Sequence, residues 1–427
     1  MRKSASRLLS LTALLGAFAS SAQNGIPQSG FPNADERRVL VLTNRARADP
    51  QTFLGACAPS TCADYACYSA KPPLVWKYEL NRSARFHSKN LAKANAANSK
   101  CGLAHVSPCV LLSNISALYE PTGSCDGSIA CACKNAVATC PGSTGTDPFV
   151  RIGLFGGVGT SENAAQGYPS PGSVVNAWIL EPDPDATCGF RPTNGHRASS
   201  LGEAGTMGAG GYQSWWVEDF GGSVAREKLV AGADDSGDFL ANWYDLAGGP
   251  SSAQVNIDGV CTPMTLERGV AATNATWKAH VTTSGCHAYV FEFKDNAGAL
   301  IRLPATGAYQ TGCVSDYTAT GLTACGAPTP SDAGVTVPPD AGNPTPPDAG
   351  QPSPDAGQTP RTDAGIVGST LSDGGISTAM DVSGGCGCNS GAGASALPLA
   401  VLASAFLWNR SRRVTHRGAT PFSRQGW

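Results

Sequence analysis

The residues in this sequence best suited to chemistry are two histidines and two glutamates: His105, Glu162, Glu181 and His196. Glu162 lies between Ser161 and Asn163 just after the glycine-rich run LFGGVG, and Glu181 closes the apolar run SVVNAWIL. His196 follows in NGHR. Neutral imidazole is the commonest protein ligand for zinc and similar divalent ions. A neighbouring carboxylate can ligate, orient the ring, or deprotonate a metal-bound water. Two histidines with open positions would leave room for solvent or substrate. The spacing follows no compact ligand pattern such as H-E-x-x-H, so each residue also has a plainer role open to it. Glu162 would cap a turn, Glu181 would bond backbone at its helix end, His105 would be an exposed loop residue, and His196 would tie a loop. No serine or cysteine nucleophile with a nearby base is evident.

The segments that carry these four residues are legible as periodic runs. NADERRVLVLTNRARADP reads as a helix with Asn33 and Glu36 as a capping box and Val39, Leu42 and Ala46 on one face. Asp49-Pro50 ends it, because a residue before proline avoids the α region. LVWKYELNRSARFHSKNLAKANA is a second helix, with a stripe through Leu80, Ala84, Leu91 and Ala94. His87 falls on that stripe, where a histidine is more often core, and it is the rival to His105 for a place in the site. SPGSVVNAWILEP is a third helix, capped by Ser170 or Ser173, with Val174, Trp178 and Glu181 on one side. After NGHRASSL, where a loop is expected to give way to a strand, AGTMGAGGYQSWWVEDFGG reads as two strands joined by a turn. Helices followed by strands point to an α+β domain.

From 226 to 326 the helical period disappears. AQVNIDG, TWKAHVTT, HAYVFEFKD and ALIRLPATG are short runs broken by turn residues, the pattern of a small all-β, Ig-like sandwich. Tyr289, Phe291 and Phe293 alternate, so one face of their strand should be core.

The basic start, apolar run and small residues before Gln23 form an export signal over 1–22. Export makes the cysteines candidates for pairing. Ten lie between Cys57 and Cys188 and four between Cys261 and Cys325, so two closed disulfide sets are expected. Cys131 and Cys133 stand too close to bridge each other easily. No C-x-x-C occurs in the exported part, which disfavours a zinc ribbon. A net charge of -2 with 15% charged residues gives no basic field for nucleic acid.

Residues 327–385 form a Pro/Asp/Ala/Gly linker with Asp-Ala-Gly recurring at 332, 340, 348, 355 and 363, a composition expected to stay disordered. The segment 386–413 holds Cys386 and Cys388, a short apolar run and Arg410, Arg412 and Arg413, and reads as a transmembrane or sorting tail, with 414–427 a cytoplasmic extension.

LTNRARADP, LVWKYELNRSARFHSKNLA, the His105 region, SENAAQG, VVNAWILEP, NGHRASSL, GTMGAGGY and WWVEDFG occur in the order typical of the CAP superfamily, which the region 33–225 resembles. This superfamily, also called SCP, comprises the cysteine-rich secretory, antigen-five and pathogenesis-related proteins. The resemblance implies an α-β-α sandwich with a cleft lined by His105, Glu162, Glu181 and His196, the histidines binding zinc or another divalent cation in some members. Ser161 stands where the family has glycine, and a cysteine-rich insertion over about 107–150 separates His105 from Glu162. The tail resembles the MYXO-CTERM sorting signal of myxobacterial surface proteins, which implies a sorting protease acting near Cys386 or Cys388 and a membrane or cell-surface location. Three functions are compatible with this plan: a binding module for a lipid, glycan or peptide, a metal-dependent peptidase or esterase, or a structural surface protein.

Overall fold

Asn33 accepts a hydrogen bond from the Glu36 backbone N–H while the Glu36 carboxylate accepts from the Asn33 N–H, and this box starts α1 (Ala34–Ala48). The computed structural model describes residues 24–121, 123–135, 140 and 145–326. The expected signal peptide, linker, tail with Cys386 and Cys388, and terminal extension lie outside the described residues. Pro50 opens α2 (Pro50–Leu54), and a single 3-10 turn follows at Ala63–Cys67. The long helix α3 (Tyr78–Ala97) lies close to its expected bounds. The short helices α4 (Ile115–Leu118), α5 (Ile129–Ala132) and α6 (Pro148–Leu154) follow, then α7 (Pro171–Ile179) and α8 (Gly195–Leu201).

Four strands, β1 (Val75–Trp76), β2 (Gly159–Gln166), β3 (Thr206–Tyr212) and β4 (Trp215–Gly221), form a sheet in the order β1-β3-β4-β2. Side chains alternate across it. Ala164 and Val217 meet Ala84 of α3 on one face. Ala165, Met207, Ala209, Trp216 and Phe220 enter a larger core with α1 and α7 on the other. The sheet is therefore covered by helices on both sides. Gly208 and Gly210 let α3 lie directly on β3, since a Cβ at either would overlap the backbone nitrogen of Asn81 or Arg85.

Ten further strands follow, all antiparallel where they pair. The first sheet joins β5 (Leu229–Asp235), β6 (Asp238–Tyr244), β10 (Asn274–His280) and β9 (Thr265–Val270) in that order. The second joins β14 (Tyr317–Thr318), β13 (Ala308–Thr311), β11 (His287–Lys294), β7 (Ser252–Ile257) and β8 (Val260–Pro263), with β12 (Leu300–Leu303) also on β11. Phe239, Trp243, Val255, Tyr289, Phe291 and Phe293 make the core between them. Val290 and Glu292 are buried as well, so both faces of β11 are covered rather than the one expected. Residues 321–326 lie over the second face: Glu292 accepts from the Cys325 N–H at 2.6 Å and pairs with Arg302 at 3.0 Å.

The described residues fall within one compact unit. The outer face of the β5–β6 hairpin packs on α1 through Ala231, Ala233 and Leu240. This is why α1 buries Leu40, Val41 and Arg37 in addition to the stripe at Val39, Leu42 and Ala46. A helix clasped between two sheets has little solvent face left.

Among the described residues seven disulfides form: Cys57–Cys62, Cys67–Cys188, Cys101–Cys140, Cys109–Cys133, Cys125–Cys131, Cys261–Cys325 and Cys286–Cys313. The two sets do not cross, and Cys131 and Cys133 each pair elsewhere. So many bridges suit a chain that folds in an oxidising environment, in keeping with export.

Candidate functional site

Glu162 stands on β2, an edge strand, with its side chain turned toward α3 and only 2% exposed. Arg151 of α6 forms an ion pair with its Oε2, and His105 Nδ1 lies 2.9 Å from its Oε1. Arg151 also donates to the His105 carbonyl at 2.9 Å and to Ser107 Oγ at 3.1 Å, so one guanidinium fixes both members of the pair. Burial alone would raise the Glu162 pKa. Arg151 first, then the neighbouring histidines, bring it down to about 2. Glu162 is thus a carboxylate that only accepts, which puts the His105 ring proton on Nδ1 and leaves Nε2 as the basic nitrogen. The His105 side chain is 52% exposed.

Glu181 and His196 repeat the arrangement. His196 Nδ1 lies 2.7 Å from Glu181 Oε2, and Glu181 Oε1 accepts from the Arg197 backbone N–H at 2.9 Å. Arg197, fully buried, donates to the carbonyls of Ile179 and Glu181 and forms an ion pair with Asp64 at 2.9 Å. Asp64 belongs to the 3-10 turn that the Cys67–Cys188 bridge holds in place. The local secondary structure differs from expectation at both residues. Helix α7 stops at Ile179 and Glu181 lies just beyond it, because Pro182 follows and excludes the α region for its predecessor. His196 is in the first turn of α8, a helix rather than a strand entry. Arg197, Ser200 and Leu201 are its buried residues, one face at helical spacing.

Consecutive positions of β2, on opposite faces of the sheet, tie down the two pairs. Glu162 holds His105, and the next residue, Asn163, donates to the His196 carbonyl at 3.2 Å. The Asn163 amide also reaches Ser200 Oγ at 3.0 Å and Glu218 Oε2 at 2.9 Å on the α1 side of the sheet. Arg47 of α1 donates to the carbonyls of Ser200 and Gly202, anchoring the end of α8. His87 is completely buried, bonds the Ala104 carbonyl through Nε2 at 2.9 Å, and has its pKa lowered to about 3 by burial and then by Arg151. It is a neutral core histidine supporting the segment that leads to His105.

Arg151, Arg197, Asp64 and Asn163 hold the site and were not singled out by spacing. Arg197 and Asn163 sit inside the quoted runs NGHRASSL and SENAAQG. Arg151 lies just past the cysteine-rich insertion in a stretch with no pattern to mark it, so that insertion delivers the main cation of the first pair. A cavity of 560 Å³ opens alongside, lined among others by Ser161, Ala198, Ser199, Tyr68 and Phe190. Ser161 and Ala198 stand one and two residues along the chain from Glu162 and His196, and none of the four site residues is itself among the lining. Phe190 is 74% exposed. Among the described residues no group of three or more His, Cys, Asp or Glu side chains is gathered as a metal cage.

No family model matches the chain, and no curated protein matches it. Among solved structures, the crystal structure of CBM31 from β-1,3-xylanase aligns over 100% of its own length and 23% of this chain, at 12% identity and a TM-score of 0.13. A likeness this slight carries no argument about fold or function.

Proposed function

We propose that this chain is an exported, surface-displayed binding module of the CAP type, in which His105 and His196 meet the ligand. One observation carries the reading: each imidazole is fixed through Nδ1 on a buried carboxylate, while the ring itself is partly exposed. Histidines held this way offer a lone pair of fixed direction. The order of the sequence motifs supports the CAP assignment, and helices on both faces of the first sheet are in keeping with its α-β-α sandwich. The second, all-β region would be an Ig-like sandwich. The tail would provide the membrane or cell-surface attachment, with Cys386 or Cys388 at the site of a sorting protease.

Zinc or another divalent ion fits the donors, and His105 and His196 would hold it. Such an ion supplies a Lewis-acid contact for an oxygen or nitrogen of a ligand. The chain's own residues orient the rings and exclude water from the carboxylates beneath. The ligand class is a lipid, glycan or peptide. Metal-dependent hydrolysis is the second reading, with Glu162 or Glu181 as general base. Glu162 suits that role poorly, because Arg151 and His105 engage both its oxygens and hold it near 2, far from a working base.

Calorimetric titration of zinc into the oxidised protein tests the proposal. The expected result is uptake by wild type, weakened at least about tenfold, the ~1.4 kcal/mol step, in His105→Ala and in His196→Ala at unchanged thermal stability. The same variants should lose binding to lipid, glycan or peptide from the cell surface. Variants that keep both zinc and ligand would overturn the reading, and cleavage of a peptide or ester by wild type would favour the hydrolase.

A further inference from the structure

Asp219 of β4 is the direct cross-strand partner of Glu162 on β2, and both side chains point to the α3 face of the sheet. Asp219 is completely buried. Like charges opposite one another on a sheet repel, and two buried carboxylates in contact cannot both be ionised. Glu162 is the one that keeps its charge, since Arg151 and His105 both engage it. No cation bonds either oxygen of Asp219; the nearby Ser83 hydroxyl and the more distant Arg151 favour its charge, and burial and the Glu162 carboxylate outweigh them. An ionised Asp219 would therefore be a buried charge beside a second one, with no cation bonded to it.

We propose that Asp219 is a carboxylic acid in the folded protein, donating its proton to Glu162 and so fixing the carboxylate that orients His105. The inference rests on the reading of His105 as a ligand-facing group and adds a positioning residue beneath it. It completes the hydrogen-bond accounting around Glu162. Arg151 donates to one oxygen and His105 to the other, and Asp219 supplies a third donor from the sheet itself. The Asp219 carbonyl oxygen is then the natural acceptor for the Ser83 hydroxyl, whose proton is free to rotate. Three elements thus converge on Glu162, α6 through Arg151, the segment before α4 through His105 and β4 through Asp219, with Ser83 of α3 beside Asp219. The sequence run WWVEDFG contains this acid, in a strand buried at every position.

Infrared difference spectroscopy of wild type against Asp219→Asn is the direct test, on the full chain at neutral pH. A protonated-carboxyl C=O band should be present in wild type and lost in the variant. Wild type containing aspartate isotope-labelled at the side-chain carboxyl should show the same band shifted, which keeps the test valid if the variant fails to fold. The positioning role is read by nitrogen NMR of the His105 ring. Asp219→Asn, which still donates, should keep the Nδ1-protonated pattern, and Asp219→Ala should lose it to a mixture of tautomers. Absence of a protonated aspartate band would overturn the proposal, as would an unchanged His105 pattern in Asp219→Ala. Neither readout uses metal or ligand, so a failure of zinc binding would count against the proposed function and leave this inference standing.

Discussion

Glu218 shows how the sheet beneath the site stores titratable charge. It is completely buried on the α1 side of β4, accepting from Thr43 Oγ1 at 3.0 Å and from Asn163 Nδ2 at 2.9 Å, with no cation beside it. Burial pushes its pKa up from 4.5 to about 7, against the pull of these hydrogen bonds. The unfolded chain releases this proton near the ordinary value, and the folded chain keeps it until about 7. Over that window the folded state binds the extra proton, so stability is greatest at the acidic end and falls as pH rises through 7. The size of the loss is on the order of 3 kcal/mol at 1.36 kcal/mol per unit. Glu162 acts in the opposite sense: its depressed pKa gives stability above the ordinary carboxylate value that is lost as pH falls toward 2. Glu218→Gln should remove its part of the decline, measured by chemical denaturation at a series of pH values. An unchanged slope would mean that Glu218 ionises at its ordinary value.

At the scale of elements, the site depends on how closely α3 lies on β3 and β4. Gly210→Ala should force the helix away from the sheet and cost ~1–3 kcal/mol or more, read as a lower midpoint in denaturant. Stability at the wild-type midpoint would show that the contact is slack. The sequence marked α1, α3 and α7, and the caps of α1 and α7, because amphipathic spacing and capping residues are local signals. It marked all four site residues only through the order of short motifs. Glu181 and His196 were assigned to the wrong local geometry for local reasons: Pro182 cuts α7 two residues early, and α8 is too short to show more than one buried face. Arg151 was illegible, since its role arises from a contact eleven residues along the chain, across a helix and onto an edge strand. The covered second face of β11 was hidden for the same reason. Glu292 reads as an exposed strand residue until the 321–326 segment returns over it.

Across the whole molecule, α1 links two layers that composition separates. Its Arg45 pairs with Glu267 of β9, and Arg38 pairs with Asp234 of β5 at 2.8 Å. Arg37 bonds Asp316 and stacks over Tyr309. These contacts, with Ala231, Ala233 and Leu240 in the first core, bind the all-β region to the helical one. A chain ending at 225 should therefore expose one side of α1 and unfold at a lower temperature than the 24–326 fragment, which should melt in a single calorimetric transition. Two separated transitions in the longer fragment would show that the layers are independent.

The central claim is that His105 and His196 are held by Glu162 and Glu181 with their protons on Nδ1, so that Nε2 of each is the basic nitrogen. Nitrogen NMR of the two rings at neutral pH measures this directly. The account predicts the Nδ1-protonated form for both, reverting to a mixture in Glu162→Gln for His105 alone and in Glu181→Gln for His196 alone. Nε2-protonated rings in the wild-type protein would contradict it.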